Sequence, residues 1–213
     1  MSFIYSSKKP TFPPWCIADP SNKSCTKKKD IRKKYDYRAV FLNIPYEESY
    51  LQIEFAIWIT LYYHELKPKL VRTERGREVR LCKICRLMQC CGYAITDFSG
   101  YRLNMAYELG LLDILRKPTA LLTKSRHTLD KTFSNFRGID PISHGMDGEK
   151  LIIDLTDWIE SNWGDAKRSV KKRPIIKAWN LLKQRFQDPN LDYNYKKINL
   201  FYQELEDYLE ELM

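Results

Sequence analysis

Short apolar runs alternate with longer segments of helical periodicity along most of this chain, and no other feature restricts its possible folds as strongly. The strand-like runs lie within residues 39–44, 67–72, 92–99, 118–124 and 139–145. Strands that alternate with helices of about ten to twenty residues are typical of a parallel sheet with helices on both faces. We therefore predict an α/β fold in which a five-stranded parallel sheet lies between two layers of helices.

The net charge of +9 is unevenly distributed and divides the chain into three parts. Residues 1–37 carry nine Lys or Arg against three acids, whereas residues 38–163 carry 17 against 16. The third part, residues 164–213, combines two stretches of opposite charge. Residues 164–185 carry eight Lys or Arg against one acid, and residues 186–213 carry two against seven. We predict a basic irregular arm in the first part, the α/β domain in the second, and a basic linker with a C-terminal helical hairpin in residues 164–213.

The last predicted helix of this extension, within residues 195–213, has an apolar side and an acidic side. Its apolar residues are Ile198, Phe201, Leu205, Tyr208, Leu209 and Leu212. Two interpretations stay open: the hairpin packs on the sheet domain, or it binds a second copy of the chain or another protein. The basic flanks are commonly solvated, and the acidic segment offers them a partner. Nucleic acid is a less favoured partner, because a basic composition alone does not show its use.

The chain lacks the sequence signals of a membrane or secreted protein. No segment approaches the apolar length that crosses a bilayer. The first residues also lack the apolar block and the small-residue cleavage site of a secretory signal. We expect a cytoplasmic protein that does not associate with a membrane.

Six cysteines raise the possibility of a zinc site, and they are Cys16, Cys25, Cys82, Cys85, Cys90 and Cys91. Cys82 and Cys85 lie in a run whose apolar residues recur at helical spacing, whereas a structural zinc site uses a tight knuckle. We therefore predict buried free thiols on a helix and no bound metal. Disulfides are also not expected in a reducing compartment.

Two carboxylates are predicted near the carboxyl edge of the sheet, where parallel α/β proteins bind ligands. Asp97 ends the third strand, and Glu108 lies about one turn into the next helix, for which Asn104 is the predicted cap. An acid near a helix start is electrostatically favourable in itself. Because the rest of this helix is nearly apolar, Glu108 is also predicted to face something specific. Gly110 is predicted to let another backbone approach.

Three stretches resemble the bacterial TIR-like domains, which are related in fold to nucleoside 2-deoxyribosyltransferases: VFLNIPY, CGYAITDFSGYRLNMAYELGLLDILRKPTALL and GIDPISHGMDGEKLIIDLTDWI. A strand ending in Asp-hydrophobic-Ser leads through an Asn to a helix with aromatic-Glu-Leu-Gly, and a strand built around Lys-Pro follows. The resemblance covers residues 36–163 and implies a flavodoxin-like or TIR-like sheet. The first strand departs from it, ending in Asn-Ile-Pro-Tyr rather than the Gly-rich turn of the transferases or the Ser-Tyr of many TIR domains.

The resemblance implies cleavage of the N-glycosidic bond of a nucleotide, most often NAD, with Glu108 as the catalytic carboxylate. NAD would be a substrate and not a bound cofactor. Such a glycohydrolase or cyclase is of the type associated with bacterial antiphage defence. Asp97 is the second catalytic candidate, either binding a ribose hydroxyl or orienting its loop. A nucleoside 2-deoxyribosyltransferase and a non-enzymatic nucleotide-sensing or protein-docking module are the alternatives.

Positions in the loops after the strands supply the candidate substrate-binding residues. They are Asn43, Tyr46, Arg77, Ser99, Tyr101, Asn104 and His144. Tyr46 or Tyr101 would stack on the nucleoside. Arg77 would contact phosphate, or it belongs to a solvated charged loop. His144 is either an acid or base, or a residue of a tight turn that caps the next helix.

Overall fold

The computed structural model describes residues 28–71, 80–99, 103–125, 140–164 and 172–186, together with single residues 10, 207 and 210. The described strands are β1 Asp36–Asn43, β2 Lys67–Lys69, β3 Cys91–Asp97, β4 Thr119–Thr123 and β5 Ile142–Ser143. They form one sheet in the order β2-β1-β3-β4-β5, and every neighbouring pair is parallel. The predicted α/β fold with a five-stranded parallel sheet is confirmed.

Helices cover both faces of this sheet. They are α1 Lys28–Lys34, α2 Leu51–Tyr63 after a 3-10 turn at Glu48–Tyr50, α3 Arg80–Cys90, α4 Leu103–Ile114, α5 Gly148–Asn162 and α6 Lys172–Phe186. The segment between β4 and β5, residues 126–139, lies outside the described residues. None of the described helices has the length and apolar character needed to span a membrane.

The two faces of the sheet bury different side chains because successive strand residues point in opposite directions. Val40 and Ile95 pack with α2, α5 and α6, and we call this side the α2 face. Phe41 and Ala94 pack with α3 and α4, and we call this side the α4 face. All four side chains are fully buried, so the sheet is the middle layer of three.

The C-terminal extension begins as part of the same core. Ile175, Ala178 and Trp179 of α6 are buried in the cluster on the α2 face. A Cβ atom on Gly148 would lie 2.3 Å from the Trp179 ring, so the helices α5 and α6 meet where α5 has no side chain. For α6, packing on the sheet domain is confirmed. The second predicted helix of the hairpin lies outside the described residues, apart from residues 207 and 210.

The predicted irregular arm ends earlier than residue 37. Residues 28–34 form the helix α1, and β1 begins at Asp36. Ile31 is fully buried and lies against Cys90, whose thiol is 3.9 Å from the Ile31 carbonyl oxygen. One buried side chain therefore holds a short helix whose other described residues are mainly basic and exposed.

The prediction for Gly110 is wrong. Gly110 is exposed, and a Cβ atom there would have no neighbour within 4 Å. The close backbone approach occurs at Gly92, where a Cβ atom would lie 2.1 Å from the Tyr37 carbonyl oxygen. This is the stretch where the pairing of β1 with β3 shifts register. A glycine is needed there because any side chain would collide with the neighbouring strand.

The helix predicted for the cysteine-bearing run is present, and it carries three of the four described cysteines. Cys82, Cys85 and Cys90 lie on α3, and Cys91 starts β3. None of these four described cysteines forms a disulfide, and Cys82 is the one among them that is not fully buried. Burial raises the pKa of the Cys91 thiol well above its ordinary value, so this thiol stays protonated at neutral pH.

Candidate active site at the carboxyl edge of the sheet

The strand order predicts a ligand-binding crevice outside the carboxyl ends of β1 and β3. The chain leaves β1 toward β2 on one side and later returns to β3 on the other side, so the strand order reverses here. Open parallel sheets bind ligands outside such a point. Polar residues occupy this edge across four strands and the residue after β5: Asn43, Thr96, Asp97, Thr123, Ser143 and His144.

Strand alternation divides these polar residues between the two faces of the sheet. Asn43 follows Phe41 by two residues and Thr96 follows Ala94 by two, so both belong to the α4 face. Asn43 and Thr96 are also direct partners in the β1–β3 pairing. Asp97 points to the α2 face. The edge therefore carries two groups of polar side chains, one on each face of the sheet.

The group on the α4 face contains Asn43, Thr96 and the first turns of α4. Asn43 is 6% exposed, and its Nδ2 donates to the Met105 carbonyl oxygen over 3.5 Å. Thr96 has no exposed surface, and its hydroxyl has no hydrogen-bond partner among the described residues. A buried hydroxyl without a partner is uncommon because its desolvation is uncompensated.

Glu108 lies on the inward side of α4. Three α4 side chains are buried, Met105, Leu111 and Leu112, and three large apolar ones are exposed, Leu103, Tyr107 and Ile114. Glu108 is three or four residues from each buried position, which places it on their side of the helix. Its side chain is half-buried, whereas Asp97 has no exposed surface. Of the two predicted carboxylates, only Glu108 keeps contact with solvent.

The group on the α2 face is a closed hydrogen-bond cluster around Asp97. Its Oδ1 accepts from the backbone N–H of Ser99 over 2.7 Å. Its Oδ2 accepts from the Tyr50 hydroxyl and from Nε2 of His144, the latter over 3.0 Å. The rings of Tyr50 and His144 also meet edge to face, with centroids 5.9 Å apart. Asp97 thus joins the turn before α2, the loop after β3 and the loop after β5.

The tautomer of His144 follows from its two ring nitrogens. Nδ1 accepts from the Met146 backbone N–H over 3.0 Å, so the ring proton is on Nε2 and points to Asp97. Ser99 Oγ lies 3.1 Å from the same Nε2. In a hydrolase triad the serine and the acid bind opposite ring nitrogens. This cluster therefore holds loops together and does not activate Ser99 as a nucleophile.

A tight turn aims His144 at Asp97. Gly145 and Met146 both have left-handed backbone angles, with φ values of 61° and 65°. Asp147 then caps α5, because its Oδ1 accepts from the backbone N–H groups of Glu149 and Lys150 over 3.0 and 3.1 Å. His144 begins a tight turn, as one of the two interpretations predicts. The residue that caps α5, however, is Asp147 and not His144.

The remaining candidates are less closely placed. Asn104 is exposed and lies inside the first turn of α4, so its predicted role as a helix cap is wrong: the helix has already begun at Leu103. Tyr46 is 40% exposed in the loop after β1. Arg77 and Tyr101 lie outside the described residues.

Sequence reasoning missed two residues at this edge, Tyr50 and Thr96. Tyr50 lies seven residues beyond the end of β1, and its hydroxyl identifies it as a group that needs a partner when buried. Thr96 does not stand out in the sequence as a functional residue, because threonine is common in ordinary β-strands. Its position immediately before the strand-ending acid is the signal that could have found it.

On the α4 face, this edge carries the partly exposed carboxylate of Glu108 and the buried polar side chains of Asn43 and Thr96. Glu108 can interact with a developing positive charge, and the amide of Asn43 and hydroxyl of Thr96 can pair with ligand hydroxyls. The described residues contain no group of three or more His, Cys, Asp or Glu suited to a metal ion. In comparisons with known proteins, no family model and no curated protein matches this chain.

Proposed function

We propose that the chain cleaves the N-glycosidic bond of NAD or a related nucleotide, as a glycohydrolase or a cyclase, with Glu108 as the catalytic carboxylate. One observation carries the proposal: Glu108 is half-buried on the inward side of α4, and the first turns of this helix contact the end of β1 at the point of strand reversal. The resemblance of residues 36–163 to TIR-like domains supports the same acid. NAD is the substrate in this proposal, and no resident cofactor is required.

The chemistry needs little beyond one well-placed carboxylate. Breaking the bond between ribose C1′ and the nicotinamide nitrogen develops positive charge on the sugar, which a nearby carboxylate stabilises or traps covalently. Nicotinamide is bound as a cation and leaves as a neutral base, so it needs no strong general acid. Water then attacks C1′ and loses a proton in a glycohydrolase. In a cyclase a nucleophile of the nucleotide itself takes the place of water.

Other residues of the edge have supporting roles in this proposal. Asp97 and His144 position the loops through their closed cluster, with Ser99 tied to both. Asn43 contacts the ribose, and Tyr46 stacks on the base. Arg77, Tyr101 and Asn104 complete the proposed substrate-binding set.

We place this activity in the bacterial cytoplasm, in antiphage defence that either depletes NAD or converts it to a nucleotide signal. The resemblance to bacterial TIR-like domains supports the role, and the free thiols of α3 and β3 suit a reducing compartment. Self-association or a partner protein bound through the C-terminal helices would restrain or trigger the enzyme. Nucleic acid remains the less favoured partner, and no membrane is involved.

The role of Glu108 is tested by Glu108→Gln, with Asp113→Asn as the control. Both substitutions remove one negative charge from α4, but Asp113 is exposed on its outer side. We expect Glu108→Gln to lower NAD turnover by about 100-fold or more, as loss of a charge-stabilising group does elsewhere. Asp113→Asn should retain turnover. Release of nicotinamide and formation of cyclic products are measured by chromatography, and unfolding midpoints verify that both variants fold.

Three outcomes would contradict the proposal in different ways. Turnover that survives Glu108→Gln removes the catalytic role of this acid. Exchange of bases on deoxynucleosides, without cleavage of NAD, identifies a deoxyribosyltransferase. NAD binding without turnover in the wild-type chain, in every oligomeric state, identifies a nucleotide-sensing module.

A further inference from the structure

The buried hydroxyl of Thr96 is the polar group at the carboxyl edge that the proposed chemistry does not yet use. It has no exposed surface, and no described residue forms a hydrogen bond with it. A valine of the same shape would avoid the cost of burying an unpaired hydroxyl. Thr60, which is equally buried, shows the usual solution, since its hydroxyl donates to the Ala56 carbonyl oxygen over 2.8 Å. Fold stability alone therefore gives no reason for a hydroxyl at position 96.

Thr96 lies beside other residues of the proposed site. Thr96 is the direct strand partner of Asn43, and both side chains lie on the α4 face at the point of strand reversal. The Nδ2 atom of Asn43 also reaches the first turn of α4, 3.5 Å from the Met105 carbonyl oxygen. The same helix presents Glu108 on its inward side. Two hydrogen-bonding side chains and one carboxylate thus belong to the same small region.

We propose that Thr96 is a ligand-positioning residue whose hydroxyl pairs with a ribose hydroxyl of the bound nucleotide. This inference rests on the proposed NAD-cleaving function and deepens it. A ribose hydroxyl both donates and accepts, so it can pair with the hydroxyl of Thr96 and with the amide of Asn43. The bond from Asn43 to Met105 is 3.5 Å long, at the outer limit for a hydrogen bond. A ligand hydroxyl entering beside Thr96 replaces this weak contact.

The pairing also gives Glu108 a defined target. When Thr96 and Asn43 hold the ribose hydroxyls against the ends of β1 and β3, the C1′ atom of the sugar faces the inward side of α4. Holding a reactant in this way contributes to rate because the reacting atoms meet without a further search. Thr96 acts on the reaction by positioning the sugar, and Glu108 supplies the charge.

The test compares Thr96→Val with Thr156→Val. Thr156 of α5 is also fully buried, and its hydroxyl also lacks a partner in the described part of the chain, but it lies about two turns into a helix on the α2 face. Both valine variants should raise the unfolding midpoint, because each removes an unpaired buried hydroxyl. Only Thr96→Val should weaken the dissociation constant for ADP-ribose, by about tenfold, and lower kcat/KM for NAD at least as much. Thr96→Ser, which keeps the hydroxyl, should stay within about threefold of the wild-type chain.

The outcomes separate this inference from the function on which it rests. If the wild-type chain cleaves NAD and Thr96→Val binds and cleaves as well as Thr156→Val, the inference is wrong and the function stands. A lower unfolding midpoint for Thr96→Val would also overturn it, because the hydroxyl would then have a partner within the fold. If the wild-type chain neither binds ADP-ribose nor cleaves NAD, the proposed function fails and this inference fails with it.

Discussion

Lys117 is a buried cation at the opposite, amino edge of the sheet. It is 7% exposed, its ammonium group donates to the Cys91 carbonyl oxygen, and it lies 5.3 Å from the ring centroid of Tyr35. Burial lowers the pKa of Lys117 to about 8. Burying the charged form of Lys117 therefore lowers the stability of the fold, and the size of this effect depends on pH.

Lys117→Met should remove a pH dependence of folding. Between pH 8 and the ordinary lysine pKa of about 10.4, the unfolded chain holds this proton and the folded chain has lost it. The free energy of unfolding contributed by Lys117 thus rises with pH through this window, by about 1.4 kcal/mol per unit of pKa difference. At pH 7 the full penalty is present, so Lys117→Met should be more stable than wild type.

Urea unfolding at pH 7 and at pH 10 measures this effect. Lys124→Met is the control, because Lys124 is exposed at the other end of β4. Its pH profile should follow that of the wild-type chain. An equal change in stability between the two pH values for wild type and Lys117→Met would show that the ammonium group is not destabilised by burial.

Single residues also show where sequence reasoning stops. The approach of Asp97 to the carboxyl edge was predictable, because an acid that follows a long apolar run must mark the end of a buried strand. Tyr50 and Thr96 were not, because their surroundings depend on strand order and on which face each side chain meets. Periodicity specifies that a strand exists, but its neighbours in the sheet come from contacts between residues far apart in the chain.

At the scale of the elements, two glycines of the described helices, Gly110 and Gly148, have contrasting surroundings. A Cβ atom on Gly148, the first residue of α5, would lie 2.3 and 2.4 Å from atoms of the Trp179 ring. Gly110 lies in the exposed middle of α4 with open space beside it. Alanine at the two positions should therefore have opposite effects on stability.

Gly148→Ala should lower the free energy of unfolding by about 1 to 3 kcal/mol, since the added methyl group displaces a buried indole ring. Gly110→Ala should raise it by about 0.5 to 1 kcal/mol, because alanine loses less backbone entropy in a helix. Chemical denaturation of both variants gives the comparison. A shift of the same sign for both would mean that helix propensity, and not the contact with Trp179, decides the effect at position 148.

The element boundaries were predicted well where the apolar runs are long. The predicted starts and ends of β1, β3 and β4 differ from the structure by at most about three residues. The errors lie where a weak local pattern was decided by tertiary contacts. Residues 28–34 form the helix α1 and not part of an irregular arm, because Ile31 is buried. Gly110 is exposed although most of the α4 sequence is apolar.

At the scale of the whole molecule, α6 belongs to the domain and not to an independent tail. Trp179 is 1% exposed within the cluster that also contains residues of α2 and α5. The sequence left open whether this helix packs on the domain or binds another molecule, because an amphipathic pattern shows only that something covers the apolar side.

Trp179→Ala should therefore destabilise the entire domain, by about 3 to 5 kcal/mol. Leu181→Ala on the same helix is the control, because Leu181 is 42% exposed and its loss should cost far less. Thermal or urea unfolding followed by far-UV circular dichroism reports on the sheet as well as on α6. If Trp179→Ala altered the unfolding of α6 alone, with the sheet unchanged, α6 would be a separate folding unit.

The contact between Trp179 and Gly148 connects α6 to the start of α5, close to the Asp97 cluster. Gly148 follows His144 by only four residues, and the imidazole of His144 is fixed on Asp97. Altering the indole thus disturbs the anchor of that imidazole. A substitution in α6 can consequently alter the carboxyl edge of the sheet from a distance, although no side chain of α6 belongs to the Asp97 cluster.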